Sequence, residues 1–197
     1  METISNRFNK SIKKSHLIFH MEAKALDIKT FVEGTEIKLV KAQSSDAELY
    51  FNTWYEVGKK WNWVGRIIRG ENGLLNDLSA SDKHLFFIKT SHNIIGICEF
   101  STSGDVSEIV YFGLKEDFIG KAYGKKAFSH LLRKMKSVSP AKIILQTCSL
   151  DAPQARSFYR VFGFETVRIE RDLVQLFAEK QIYAEKQKSP DSHQDSY

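Results

Sequence analysis

Apolar and polar positions repeat along the chain with two different periods, and the changes between them predict strands and helices in turn. Continuous or alternating apolar runs predict strands, and apolar positions three and four residues apart predict helices. The predicted strands cover residues 35–43, 83–90, 94–101, 108–114, 141–149 and 164–169; the predicted helices cover 47–60, 71–78, a stretch after Gly124 and a stretch between Asp151 and Gly163.

Both ends of the chain lack so clear a pattern. Residues 1–34 begin with basic side chains and are weakly patterned, so we expect a weakly ordered extension, or alternatively a helix over Ser11–Ala25. Residues 172–184 do not decide between helix and strand, and residues 185–197 are polar enough for a disordered tail. The sequence therefore predicts one domain over residues 35–184.

Composition narrows the classes of function. The chain has 197 residues and a net charge of +5, which suits an anionic ligand. No apolar run reaches the ~18 residues of a membrane helix, and no basic cluster is interleaved with aromatic residues. Neither a membrane nor a nucleic-acid partner is therefore expected. Cys98 and Cys148 lie in apolar runs and are expected to be reduced, which predicts a cytoplasmic protein without a metal site. Whether Met21 is the true start stays open.

The stretch from Glu108 to Lys134 holds the strongest local signal. An apolar run ends at Leu114 and a polar turn follows, then glycines with interleaved lysines, then a helical pattern. A strand, a glycine-rich turn and a helix in this order direct free backbone N–H groups towards a bound phosphate. A glycine-containing turn also occurs where a chain merely changes direction, so this stretch alone leaves both interpretations open.

An unusual cluster of large side chains follows the first predicted helix. Trp61, Trp63 and Arg66 lie within one or two helical turns of each other. The tryptophans could simply pack the helix on the sheet. They could also form a substrate wall, because indole faces beside a guanidinium suit a planar or acidic group.

Two motifs together carry a resemblance to a known family. The first is Leu-Lys-Glu-Asp-Phe-Ile-Gly-Lys-Ala-Tyr-Gly over residues 114–124, and the second is Asp-Ala-Pro-Gln-Ala-Arg-Ser-Phe-Tyr-Arg-Val-Phe-Gly-Phe over residues 151–164. In this order they resemble the cofactor segment and the following helix of the GNAT superfamily of acetyl-CoA-dependent N-acetyltransferases. Trp-x-Trp-x-x-Arg and Tyr-Phe-Gly-Leu also resemble motifs of a bacterial group within it. The resemblance covers about residues 35–170.

The resemblance implies both a fold and a cofactor. The fold is α/β (α+β), with a mixed, mostly antiparallel sheet, a central parallel pair of strands splayed for the cofactor, and helices on both faces. The cofactor is acetyl-CoA, as co-substrate. The positions that match the family's cofactor segment are Phe112, Gly113, Leu114, Lys115, Ile119, Gly120, Lys121, Ala122, Tyr123, Gly124 and Lys125. Ile119 and Ala122 depart from the family pattern, which usually has Arg or Gln and then Gly at these positions.

The resemblance also implies catalytic roles. Tyr159 matches a tyrosine that protonates the leaving thiolate, and Glu108 lies where the family often has the carboxylate that takes a proton from the amine. Glu99 or water is the alternative base. The backbone N–H of Leu114 is the expected donor to the carbonyl oxygen. Cys148 as an acetyl-carrying nucleophile is a weaker alternative.

We therefore expect an N-acetyltransferase that acts by direct attack on a primary amine of a small molecule or a protein. One alternative is a non-catalytic acyl-CoA-binding module, in which Ile119 and Ala122 would mark lost activity. Another is nucleic-acid binding through the basic N-terminal arm. Trp61, Trp63 and Arg66 are the candidate substrate-binding residues. Members of the family often dimerise, so the resemblance allows a homodimer.

Overall fold

The computed structural model describes residues 12–31 and 36–176, and residues 16–172 form one compact unit. Every part of the site described below lies in that unit. The described elements, in chain order, are β1 Ile12–Lys24, β2 Lys38–Lys41, α1 Ala47–Gly58, α2 Gly65–Ser79, β3 Lys83–Lys89, β4 Ile94–Ser103, β5 Val106–Leu114, α3 Tyr123–Lys136, β6 Lys142–Cys148, α4 Ala155–Val161 and β7 Glu165–Leu176. None of these helices combines the length and apolar character that crossing a membrane requires.

The seven described strands form a single sheet in the order β2-β3-β4-β5-β6-β1-β7. The pairs β2–β3, β3–β4, β4–β5 and β1–β6 are antiparallel, whereas β5 and β6 are parallel. The connection between β5 and β6 contains α3, as a parallel pair requires. The predicted fold, a mostly antiparallel mixed sheet with a central parallel pair, is confirmed.

Helices cover both faces of the sheet, and neighbouring residues of β5 show this directly. The Phe112 ring packs against Phe128 of α3 with 4.8 Å between centroids. Gly113, the next residue, faces α1, because a Cβ atom built on it would collide with Val57. Successive side chains of a strand point to opposite faces, so α3 and α1 lie on opposite sides of the sheet.

The first strand lies where the sequence predicted a weakly ordered extension or a helix, and for residues 12–24 both predictions are wrong. Phe19, Met21 and Ala23 are buried, and they alternate with more exposed neighbours, which is the period of a strand. β1 inserts between β6 and β7, with Met21 opposite Leu145. Two neighbouring strands and a buried face stabilise a segment that would not stay ordered by itself.

At the other end, β7 continues to Leu176, so residues 172–176 are strand rather than helix. Residues 177–184 and the predicted tail, 185–197, lie outside the described residues, as do residues 1–11 and 32–35. In α2 the chain departs from helical geometry at Gly70, where φ is 67°. The predicted helix over residues 71–78 therefore corresponds to the part of α2 after this kink.

Candidate active site

A gap opens in the middle of the sheet where β5 separates from β6. The two strands pair from Val106 opposite Lys142 to Ile109 opposite Leu145, and the pairing ends there in the described chain. β5 has one residue too many at this point, because Ile109 and Tyr111 face consecutive residues of β4 and leave Val110 as a bulge. A bulge bends its strand and increases the local twist, and here it turns the end of β5 away from β6.

The end of β5 presents unpaired peptide groups to this gap. The Lys115 N–H donates to the Ile95 carbonyl of β4 at 2.8 Å. In an antiparallel ladder successive residues direct their N–H and C=O groups to opposite sides. The N–H and C=O groups of Leu114, and by the same alternation those of Phe112, therefore point away from β4 and into the gap.

The gap is the floor of a cleft of about 600 Å³. Its lining contains most of the residues predicted to bind a cofactor or substrate, together with the predicted acid. Those that line it are Trp61, Trp63, Phe112, Gly113, Leu114, Ile119, Gly120, Ala122, Gly124, Lys125 and Tyr159. Those outside the lining are Arg66, Glu108, Lys115, Lys121 and Tyr123.

One end of the cleft is an anion cradle, formed by residues 119–125. The backbone is left-handed at Gly120 (φ 81°) and at Ala122 (φ 60°), and α3 begins at the next residue. These turns bring the free N–H groups of the first helical turn to the cleft, where the helix carries a partial positive charge. A Cβ atom at Gly120 would meet nothing within 4 Å, so this side of the cradle is open. Lys125 adds a formal positive charge to the lining.

Tyr159 lies deeper in the cleft, on α4. Its ring packs against Phe128 and Phe158, with 5.4 Å between centroids in each case. Burial, and secondarily the carboxylate of Asp151, raise the pKa of the Tyr159 phenol well above its usual range. The phenol therefore keeps its proton at neutral pH and can donate it inside the cleft.

Asp151, also in the lining, closes the turn after β6. Its Oδ2 atom accepts hydrogen bonds from the Thr147 hydroxyl at 2.7 Å and from the Cys148 N–H at 2.8 Å. The following helix, α4, begins only at Ala155, and its N-cap is Gln154. The carboxylate therefore stabilises the end of β6 rather than the start of α4.

The opposite side of the cleft is an aromatic wall, formed by Trp61, Trp63 and Tyr111. Trp63 fills the space above two glycines: a Cβ atom at Gly58 would lie 2.5 Å from its ring, and one at Gly113 would lie 3.2 Å from it. The Trp63 ring lies 4.8 Å from the ring of Tyr111. The two glycines thus let the indole pack directly on the backbone of α1 and β5.

Arg66 lies behind this wall and is 2% exposed. Its guanidinium donates to both oxygens of Glu99, with 3.1 Å from Nε to Oε1, and to Asp77 at 3.3 Å. It also lies 5.7 Å from the Tyr111 ring. These groups surround a separate cavity of about 70 Å³. The structure thus gives Arg66 two carboxylate partners within the chain and leaves it out of the main cleft.

A comparison with protein-family models identifies the family to which this chain belongs. The model of the acetyltransferase (GNAT) family matches residues 46–164, which is more than half of the chain. The chain belongs to the GNAT acetyltransferase family. No curated protein matches its sequence.

Solved structures share the GNAT fold at low sequence identity. A conserved protein of unknown function from Staphylococcus epidermidis has a TM-score of 0.66 and 13% identity over 84% of this chain and 64% of its own. A GCN5-related N-acetyltransferase from Kribbella flavida has a TM-score of 0.57 and 10% identity over 82% of this chain and 58% of its own. The chain therefore spans less than two thirds of the length of these proteins. The PaiA N-acetyltransferase of Thermoplasma acidophilum, solved in complex with coenzyme A, has a TM-score of 0.56 and 21% identity over 66% of this chain and 89% of its own.

The two carboxylates considered as bases occupy different surroundings in this GNAT domain. Glu108 is half-buried in the paired part of β5, opposite Ser101 and Ile144, one residue before Ile109 of the lining. Glu99 is buried behind the wall, where it accepts hydrogen bonds from Arg66 and from the Tyr50 hydroxyl. Burial raises the pKa of Glu99, and the guanidinium of Arg66 opposes that shift.

Some residues of the GNAT cleft escaped sequence reasoning. Gln146 and Asp151 follow the apolar centre of β6, and Tyr111 lies in the apolar run of β5. One available signal was that the carboxyl ends of adjacent parallel strands meet at one edge of a sheet. It would have placed the residues after Leu145 beside those after Ile109, across the same gap.

Proposed function

We propose that this protein is an N-acetyltransferase that moves an acetyl group from acetyl-CoA to a primary amine of a small molecule or protein. One observation carries the proposal: the unpaired edge of β5 and the anion cradle at the start of α3 open into the same cleft. Membership of the GNAT acetyltransferase family supports it.

The chemistry of the residues present fits coenzyme A. Its diphosphate needs anion-binding N–H groups, which the backbone of Gly120–Lys125 would supply together with the Lys125 ammonium. Its pantetheine amides need peptide partners, which Phe112 and Leu114 would supply as a neighbouring strand does. Acetyl-CoA, when bound, supplies an acetyl thioester that an amine can attack.

Two groups of the chain are suited to the charges that develop during transfer. The Leu114 N–H points into the gap and is our proposed donor to the carbonyl oxygen of the acetyl group. Tyr159 holds its proton at the phenolic oxygen and is our proposed donor to the leaving sulfur. Both lie in the lining of one cleft, as a concerted role requires.

The amine itself must lose a proton, because an alkylamine has a pKa of ~10.4 and is mostly charged at neutral pH. Glu108 is our proposed acceptor of this proton. It lies outside the lining, beside Ile109, so a water molecule must connect it to the amine. Glu99 is less suited, because its oxygens already accept from Arg66 and Tyr50.

Calorimetry with coenzyme A and steady-state kinetics over a panel of amines test this function. We expect coenzyme A to bind. Tyr159→Phe should lower kcat by about 10²–10⁴-fold, the usual contribution of a general acid, and should leave the affinity for coenzyme A unchanged. Glu108→Gln should lower kcat most at low pH, where the amine is most protonated. Coenzyme A binding without acetylation of any amine would favour the non-catalytic acyl-CoA-binding module instead. No binding at millimolar coenzyme A would refute both functions.

A further inference from the structure

We propose that the acetyl acceptor is an arylalkylamine, a primary amine on a short chain that carries an aromatic ring. This inference rests on the proposed function and names the acceptor class of the same site. The observation behind it is a rigid aromatic wall opposite the anion cradle, together with carboxylates that are already paired within the chain.

The two faces of β5 separate the cofactor side of the cleft from the acceptor side. Phe112 packs towards α3, whose first turn forms the anion cradle. Tyr111 and Gly113 face the opposite side, where α1 and Trp63 lie. A cofactor held at α3 would fill the first side. The second side is then open to an acceptor, which would approach the gap past the aromatic wall.

The wall is already arranged for a flat ligand. Trp63 packs on the backbone at Gly58 and Gly113 and against the ring of Tyr111, and these contacts restrict its indole. Tyr111 is held in turn from behind by the buried guanidinium of Arg66 at 5.7 Å. Such a fixed surface binds an aromatic ring without the entropy cost of ordering mobile side chains.

Trp61 completes the wall at its more accessible end. It lies in the short 3-10 turn between α1 and α2, and it lines the cleft. The ammonium of Lys60 lies 5.6 Å from the centroid of its ring. Trp61 can therefore be changed with less damage to the core than Trp63, and it is the better position for a test.

The charges around the wall argue against acceptors with several positive groups. Glu56 pairs with Lys115 at 2.7 Å, and Glu116 pairs with Lys60. Asp151, the carboxylate of the lining, already accepts two hydrogen bonds from its own turn. Among the described residues of the lining, Asp151 is the one carboxylate, so the cleft offers a second ammonium group a single acidic partner and a third group none. This disfavours polyamines and lysine-rich peptides.

Steady-state kinetics of the full-length protein with four acceptors test the assignment. 2-Phenylethylamine represents the proposed class, 2-cyclohexylethylamine has a ring of similar size without a π-face, and spermidine and a lysine-rich peptide represent the disfavoured classes. We expect kcat/KM for 2-phenylethylamine to exceed that for the cyclohexyl compound by about 2–10-fold, as aromatic pairing allows, and to exceed the polycations by more. Trp61→Leu should reduce the difference between the two ring compounds, because Trp63 and Tyr111 remain, and it should leave coenzyme A binding unchanged.

The outcomes separate this inference from the proposed function. Preference for spermidine or for the peptide would overturn the inference while acetyl transfer itself stands. If none of the four is acetylated, the proposed function loses its support, and binding of 2-phenylethylamine to the coenzyme A-loaded protein is then measured by tryptophan fluorescence. Quenching that Trp61→Leu abolishes would still support the aromatic site; no quenching at millimolar amine would overturn it.

Discussion

Replacing Ala122 by glycine should stabilise the protein, although the change removes a side chain at the candidate site. Ala122 is the N-cap of α3 and has φ 60° and ψ 0°, in the left-handed region. This conformation is sterically unfavourable for an L-residue with a Cβ atom, whereas glycine adopts it without that strain. The left-handed turn is what brings the first amides of α3 to the cleft, so folding holds alanine there despite the cost.

The size of the effect follows from two opposing contributions. The left-handed conformation costs an alanine about 1–2 kcal/mol, which the substitution removes. Glycine makes the unfolded chain more flexible, which costs about 0.4–1 kcal/mol. We therefore expect a net gain of about 0.5–1 kcal/mol, which corresponds to a rise in Tm of roughly 1–4 °C for a chain of this size. Coenzyme A affinity should change little, because the backbone already has the shape that binds.

Urea unfolding of the wild type and of Ala122→Gly measures the difference, and calorimetry with coenzyme A measures binding. Ala127→Gly is the matched control: it makes the same chemical change in the interior of α3, where it should destabilise the protein by about 1 kcal/mol or more. If both glycines destabilise the protein alike, Ala122 is not left-handed in solution and the proposed cradle geometry is wrong.

Three further predictions concern other parts of the site. Arg66→Met should lower the free energy of unfolding in urea by about 3–5 kcal/mol, because it leaves the Glu99 carboxylate buried without its guanidinium. The double variant with Glu99→Met should recover much of that loss. If the effects of the two substitutions simply add, the pair is not coupled. Gly113→Ala should cost about 1–3 kcal/mol by overpacking, first against Val57 and then against Trp63, and it should raise the KM of the amine. A raised phenol pKa means that folded Tyr159 keeps a proton that the unfolded chain loses above pH ~10. The free energy of unfolding should therefore fall as pH rises beyond that value, and less steeply in Tyr159→Phe.

The residues proposed to hold the cofactor could be chosen from the sequence because they are local. Gly120 to Lys125 form one contiguous turn and helix start, and their spacing alone indicates where the backbone amides point. Whether Ala122 is strained depends on its φ angle, which the sequence does not show: alanine is strained there only if φ is positive. In the structure φ is 60° at Ala122, so the alanine is strained.

The acceptor half could not be predicted in the same way because it is tertiary. Trp63, Gly58 and Gly113 come from three elements and become one surface only after packing. Arg66 illustrates the limit best. Beside two tryptophans in the sequence it suggested a ligand contact, but Glu99 lies on a different strand, and no local pattern indicates that the two will meet.

The missed first strand has a different cause. In His20–Lys24 the alternation is present, but histidine, glutamate and lysine occupy the outward positions, and Met21 and Ala23 the inward ones. Such a segment has little intrinsic preference for a strand, and its conformation is decided by the neighbours with which it pairs. β6 is 124 residues further along the chain at the pair of Met21 and Leu145, so a window of local sequence cannot contain that information.

A single inserted residue accounts for how the fold creates the site. Without Val110, β5 would continue its register against β4, and its end could remain paired with β6. With it, the strand bends, the parallel pair stops at Ile109, and the peptide groups beyond face a gap. The same bend directs Tyr111 to the aromatic wall and Phe112 to α3. The bulge therefore both opens the strand edge proposed to receive the cofactor and places the two ring systems on opposite sides of it, as the proposed transfer between two molecules in one cleft requires.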